Sequence, residues 1–315
     1  MRVFVAGATG AVGRPLVHQL LKAGHEVTGM TRSEQKARAL EAQGAGAAVC
    51  DAFDREGVIA AVGAARPEVV VHQLTDLPSS LNLRRLDEVR RRLAAYAVVA
   101  RVGLSQAART AGARRMVAQS IAFLYAPEGG PVKSETEPVY RDAPAPLDKS
   151  IGTVLDVERA VVGAEGLEGV VLRYGFFYGP GTYYAADGDV GGQVRARRYP
   201  VVGAGTGVTS FVHTEDAAAA TLAALDRGAP GIYNIVDDEP APIREWLPVY
   251  ARALGAKPPR RVPRFVARLA AGQFAAMMST ELRGASNAKA RRELGWEPRY
   301  PSWREGFAAE LGGGG

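Results

Sequence analysis

Gly7, Gly10 and Gly13 recur every third residue in Gly7-Ala8-Thr9-Gly10-Ala11-Val12-Gly13, between an apolar run at 2–6 and a helical-period stretch at 11–23. Glycines at that spacing permit a tight turn and close backbone approach to a pyrophosphate. The helix that follows adds unpaired N–H groups and the positive end of its dipole. Gly7, Thr9, Gly10, Ala11, Val12 and Gly13 are therefore expected to bind a dinucleotide. A plain glycine-rich turn is the alternative in a chain with 37 glycines, and the strand–helix context weighs against it. The second apolar run ends Thr31-Arg32-Ser33. An acidic residue there would bind a ribose 2′-hydroxyl, whereas an arginine suits a 2′-phosphate. Arg32, helped by Ser33, predicts NADP (NADPH) over NAD. Asp51, followed by Ala52, is placed either to accept from an adenine amino group or to cap the next helix. Both readings stay open here.

These residues need a scaffold. Short apolar runs at 2–6, 26–30, 47–50, 68–72, 115–118 and 170–174 predict strands; 11–23, 33–42, 55–65, 83–110 and 154–163 have helical spacing. Gly24 and Gly112 follow helices where a left-handed cap is expected. Nearly continuous apolar strands alternating with helices predict an α/β fold, a doubly wound parallel sheet covered on both faces. Further along come a glycine loop at 203–207, a strand at 208–213, a helix at 214–225 with Thr214 as cap, and a strand at 231–236. Short helices broken by Pro248, Pro258-Pro259 and Pro263 follow. The expected organisation is a nucleotide-binding domain over 1–175, completed by about 206–237. Residues 176–205 and 238–311 form a smaller C-terminal substrate-binding lobe, and 312–315 a disordered tail.

Composition removes several function classes. The 315 residues, 47% hydrophobic and 23% charged, can bury a core without covalent staples. A lone Cys50 excludes a disulfide framework and multi-cysteine metal sites. Histidines at 18, 25, 72 and 213 are too scattered for a metal site, and neither HExxH spacing nor a Ser-His-acid triad is visible. The net charge is +6, but without a basic stripe or interleaved aromatics it does not predict nucleic-acid binding. Glycines interrupt the first residues before any long apolar stretch, so neither a signal peptide nor a membrane span is expected. The expected setting is cytoplasmic.

The glycine loop, Val71-His72-Gln73-Leu74-Thr75, Leu172-Arg173-Tyr174, Tyr178-Gly179-Pro180-Gly181, Ser210-Phe211-Val212-His213-Thr214-Glu215-Asp216 and Ala290-Arg291-Arg292-Glu293-Leu294-Gly295-Trp296 together resemble the extended short-chain dehydrogenase/reductases, the NAD-dependent epimerase/dehydratase family. The resemblance covers nearly the whole chain. It implies a Rossmann-type fold, adds Gln73, Leu74, Thr75 and Tyr174 to the cofactor set, and suggests a homodimer through the 83–110 helix. That helix carries arginines 84, 85, 90, 91, 92, 101 and 109 around an apolar stripe; a solvated basic face is the plainer reading.

The family's usual catalytic set is a Ser or Thr after the fifth strand with a Tyr and Lys spaced YxxxK. No tyrosine here has a lysine four residues later. Matching the family's helix puts Ser150 at the Tyr position, Val154 at the Lys position and Ile121 at the Ser/Thr position, with Ser120 one residue earlier. All three roles look vacated. Thr209 replaces the arginine with which sugar-nucleotide members hold a diphosphate. Ser120, Gln119 and Tyr183 are therefore the candidate proton donors or oxyanion ligands. Ile121, Phe176, Tyr178, Tyr184 and His213 are the candidate substrate contacts, although Phe176 suits core packing and His213 a structural role. Lys149 is turned by about 100° from the lost Tyr site. The leading expectation is an NADP(H)-dependent reductase of a small hydrophobic carbonyl or enone with a non-standard proton donor. A non-redox cyclase, isomerase or dehydratase, and a non-catalytic NADP-sensing regulator, are the alternatives.

Overall fold

Successive residues of the first strand face opposite ways, and both faces are covered. In the computed structural model, which describes residues 1–75, 103–145 and 147–312, the main sheet has seven parallel strands. They are β1 (Arg2–Ala6), β2 (Glu26–Thr31), β3 (Gly46–Val49), β4 (Val69–His72), β5 (Arg115–Ile121), β6 (Glu168–Tyr174) and β7 (Gly231–Ile235). Their order is β7-β6-β5-β4-β1-β2-β3. The helices named below are α1 (Gly13–Lys22), α2 (Glu34–Glu41), α3 (Arg55–Ala65), α4 (Ser105–Thr110), α5 (Leu147–Val162), α6 (Asp189–Arg195), α7 (Thr214–Ala223), α8 (Ile243–Ala253) and α9 (Arg264–Thr280). Val3 and Val5 pack with Leu16, Val17 and Leu20 of α1 and Ala217 of α7. Phe4 and Ala6 pack with Val58 and Val62 of α3, Ala107 of α4 and Val161 of α5. That alternation is the doubly wound α/β architecture the strand pattern predicts.

Most of the expected 83–110 helix, its arginine face and the dimer contact lie outside the described residues; its end is α4. So do residues 313–315 of the tail.

Three expectations are corrected. The fifth strand runs through Gln119 and Ser120 to Ile121, because its pairing with β6 continues to Ile121–Tyr174 although the side chains turn polar. Helix α7 is capped by His213, whose Nδ1 accepts the Glu215 N–H at 3.2 Å, and Thr214 is its first residue. Pro248 does not break α8: Trp246, Leu247, Tyr250 and Ala251 are buried along it. Burying each large side chain stabilises by about 1.5–3 kcal/mol, against about 3 kcal/mol for an interior proline.

The smaller lobe has its own core, in which Tyr184, Val190 and Val194 of α6, Phe211, Trp246, Tyr250 and Phe307 interlock. A further cluster joins the end of the sheet to α9: Ala122, Leu124, Tyr125, Ile151, Leu155 and Met277, with Ile121, Tyr140 and Val154 against it. It lies at the C-terminal end of β5, where an open parallel sheet offers its ligand crevice.

Candidate active site

The glycine loop joins β1 to α1. Gly7 has φ +92°, and a methyl group there would stand 2.5 Å from the Gln73 carbonyl oxygen; one at Gly13 would stand 2.1 Å from that of Gly7. Only glycine fits either place. Gly10 N–H donates to Gly7 O at 3.0 Å, closing the turn. Helix α1 begins without a side-chain cap and without an acidic residue in its first turn. Its positive end is thus left open to an anion. The cradle fits a dinucleotide pyrophosphate.

Around it, Arg32 is exposed and has no hydrogen bond or ion pair among the described residues. Ser33 caps α2, its Oγ accepting Lys36 N–H at 3.4 Å. Asp51 accepts the Phe53 N–H at 2.9 Å, while Asp54 caps α3, so the helix-cap reading of Asp51 is corrected. Ala52 is packed into the core. Gln73 is buried, its Nε2 donating to the Tyr174 hydroxyl at 2.9 Å, and that hydroxyl lies 2.6 Å from Thr221 Oγ1. The side chains of Gln73 and Tyr174 thus bond inward. Leu74 N–H donates to His72 Nδ1 at 3.2 Å, and Thr75 is exposed. Burial pulls the His72 imidazole down to about 4.

At the end of β5 the side chains divide. Gln119 Nε2 donates to the Leu74 carbonyl at 2.8 Å, tying β5 to the segment after β4. Ser120 Oγ donates to Glu158 Oε1 at 2.5 Å. Glu158 is held by Arg173 through two bonds, Nε at 2.8 Å and Nη2 at 2.6 Å, both side chains being 3% exposed. Arg173 Nη1 donates to the Tyr125 hydroxyl at 3.0 Å, which donates to Asn234 Oδ1 at 2.7 Å. Having given its only proton to a carboxylate, Ser120 meets any further group as an acceptor. Ile121 and Val154 of α5 pack against one apolar cluster. Lys149 is exposed.

Three of the expected substrate contacts are buried. Tyr178 and His213 are 0% and 2% exposed, and Tyr184 is 7% exposed within the lobe's core. His213 uses Nδ1 to cap α7 and Nε2 to reach Glu310 at 3.1 Å, so both ring nitrogens are engaged. Phe176 is half-buried and stacks on Phe123 with centroids 4.4 Å apart. Tyr183 is half-buried beside the lobe's core. Phe123, Tyr140, Ile151, Met277, Glu281 and Leu282 line a slot with ≈ 10 Å³ of free volume. Burial, then the Glu281 carboxylate, raises the Tyr140 hydroxyl above its ordinary range. The sequence reading missed Glu158, which accepts from Ser120, and Arg173 and Tyr125, which hold the network behind it. Two polar residues closing a strand, Gln119-Ser120, were the available signal.

The fold and the loop define a nicotinamide-nucleotide-binding class of protein. The NAD dependent epimerase/dehydratase family model matches residues 3–236, and the chain belongs to that family. A 3-diazoavenalumate denitrifying reductase of Streptomyces sp is 49% identical over 317 residues, covering 98% of this chain and 100% of that one. A 4-hydroxy-2-methyl-3-oxo-4-farnesyl-3,4-dihydroquinoline-1-oxide ketoreductase of Stigmatella aurantiaca is 28% identical over 323 residues, covering 95% and 92%. The UDP-glucose 4-epimerase of Thermus thermophilus, solved in complex with NAD, superposes with a TM-score of 0.74 at 26% identity, over 99% of this chain and 98% of that one.

Among the described residues, no helix is long and apolar enough to cross a membrane, and no group of three or more His, Cys, Asp or Glu could hold a metal.

Proposed function

We propose that this chain is an NADPH-dependent reductase whose substrate accepts hydride without needing a proton from the protein, and that an arenediazonium is that substrate class. The observation that carries the reading is the Ser120–Glu158 bond beside Ile121 and Val154. A carbonyl reduced to an alcohol needs a proton on its oxygen and a donor for the developing oxyanion. Here the Ser120 hydroxyl is committed to Glu158, and Ile121 and Val154, set by the resemblance at the family's Ser/Thr and Lys positions, are hydrocarbon, which leaves Ser150 at the Tyr position as the one hydroxyl among the three. A nicotinamide nucleotide held by the glycine loop at 7–13 would supply hydride chemistry; on an arenediazonium, the new C–H bond at the ring carbon would replace the C–N bond, whose electron pair would leave with N₂, so that no proton would be needed. For such a step the chain's own task is to orient the substrate and exclude water, which Ile121, Val154 and the stacked Phe123–Phe176 pair suit. The name of the Streptomyces relative, a denitrifying reductase of a diazo compound, supports this assignment. Arg32 supports NADPH over NADH.

Reduction of a small hydrophobic carbonyl or enone is the second reading. The Stigmatella ketoreductase favours it, and Tyr183, half-buried at the lobe, would be the donor. Anaerobic assays with NADPH separate the two. The first reading expects one N₂ released per NADPH oxidised with an aryl diazonium acid and no turnover with the matching aldehyde or enone. Turnover of the carbonyl alone would select the second.

A further inference from the structure

Helix α9 is bent. Gly272 has φ 85° and ψ 173°, far from helical values, so two half-helices meet there at an elbow. The elbow holds an open cleft of ≈ 430 Å³ lined by Arg264, Phe265, Arg268, Gln273 and Ala276, of which only Ala276 is buried. Its chemistry is mixed. Phe265 and Ala276 offer apolar surface, Gln273 an amide, and the two arginines guanidinium groups. Arg264 is paired with Glu281, whereas Arg268 has no ion pair or hydrogen bond among the described residues. The chain leading into the elbow is basic. Lys257, Arg260, Arg261, Arg264 and Arg268 fall within 257–268, and no Asp or Glu occurs from 246 to 280. Such a field attracts anions, and a planar guanidinium matches a carboxylate bidentately.

The same helix also packs against the end of β5. Met277, one turn or about 6 Å along the helix from Gln273, packs into the cluster that includes Ile151 and contacts Ile121 and Val154. We propose that the elbow of α9 is the recognition site for the carboxylate of an aromatic acid, with Arg268 as its ion-pair partner and Phe265 and Ala276 as the apolar walls. This deepens the reductase reading by naming the substrate's second group, and rests on that reading only in making the bound acid the hydride acceptor.

Binding of trans-cinnamate and of its neutral amide, cinnamamide, to the full-length protein tests the site by calorimetry without any turnover. The expected result is cinnamate bound at least tenfold more tightly than cinnamamide. Arg268→Ala removes that preference, Arg268→Lys restores part of it, and the NADPH affinity of both variants is unchanged. Cinnamate binding that is absent in the wild type, or equal in wild type and Arg268→Ala, overturns the proposal. So does co-sedimentation with phosphatidylserine vesicles that depends on Arg268 while cinnamate binding does not, because a lipid surface is then the partner. Arg268-dependent cinnamate binding in a protein that fails to transfer hydride would keep the site and sink the reductase reading; the converse would sink the site alone.

Discussion

Ser120 and Glu158, 38 residues apart in the chain, share a 2.5 Å hydrogen bond whose proton comes from the serine. That bond links the end of β5 to the last turns of α5 and, through Arg173, to β6. It makes the Ser120 hydroxyl part of a buried ionic network.

Replacing Ser120 by alanine should therefore act on stability before catalysis. Leaving the buried Glu158 one donor short costs about 1–3 kcal/mol, while kcat should stay within about threefold of wild type. Urea unfolding alongside steady-state kinetics checks both. A large fall in kcat with unchanged stability would return Ser120 to the proton-donor role.

Arg32→Ala should weaken NADPH binding at least about tenfold and leave NADH binding unchanged, because only the former carries a 2′-phosphate. Titrations of nucleotide-free protein with each nucleotide provide the comparison. Equal losses for both would mean that Arg32 recognises something common to the two nucleotides.

His72 gives stability a pH dependence of known sign. Its folded value is held down to about 4 by burial, against an ordinary value of 6.5. Below pH 6.5 the unfolded chain takes up a proton that the folded chain refuses. Stability therefore falls as the pH drops from 6.5 toward 4, by about 1.4 kcal/mol per pH unit and ~3 kcal/mol in all, and this contribution is flat above 6.5. Asp216 and Asp237, both raised by burial, bend the curve the other way. The difference between wild type and His72→Asn, whose amide can still accept the Leu74 N–H, isolates the histidine. Parallel curves from pH 8 to 5 would show that His72 is freely protonated in the fold.

The fold was legible because its signals are local. The glycine loop, the valine-rich runs and their alternation with helical spacing each lie within a dozen residues, and the sheet order follows from parallel crossovers. What escaped is long-range. Nothing near Ser120 announces that a carboxylate on a later helix takes its proton. The first half of α5 was missed because Lys149-Ser150-Ile151-Gly152 shows little periodicity and carries a glycine; burial of Ile151 supports it. Pro248 misled for the same reason: the aromatic packing that tolerates it comes from the rest of the lobe. Tyr178 and Tyr184 border the cleft in sequence order but turn into the lobe's core, and His213 is buried against Tyr178 and Tyr300, directions set by packing rather than by spacing.

The measurement that most directly tests the absence of a protein proton donor is isotope transfer. Anaerobic incubation of the protein with NADPH carrying deuterium at the nicotinamide C4 and an aryl diazonium acid, in ordinary water, should place one deuterium on the ring carbon that bore nitrogen. N₂ should form in equal amount, and the rate of the hydride step should be flat between about pH 6 and 9. Hydrogen from solvent at that carbon, or a rate that follows the titration of a single acid, would contradict the account.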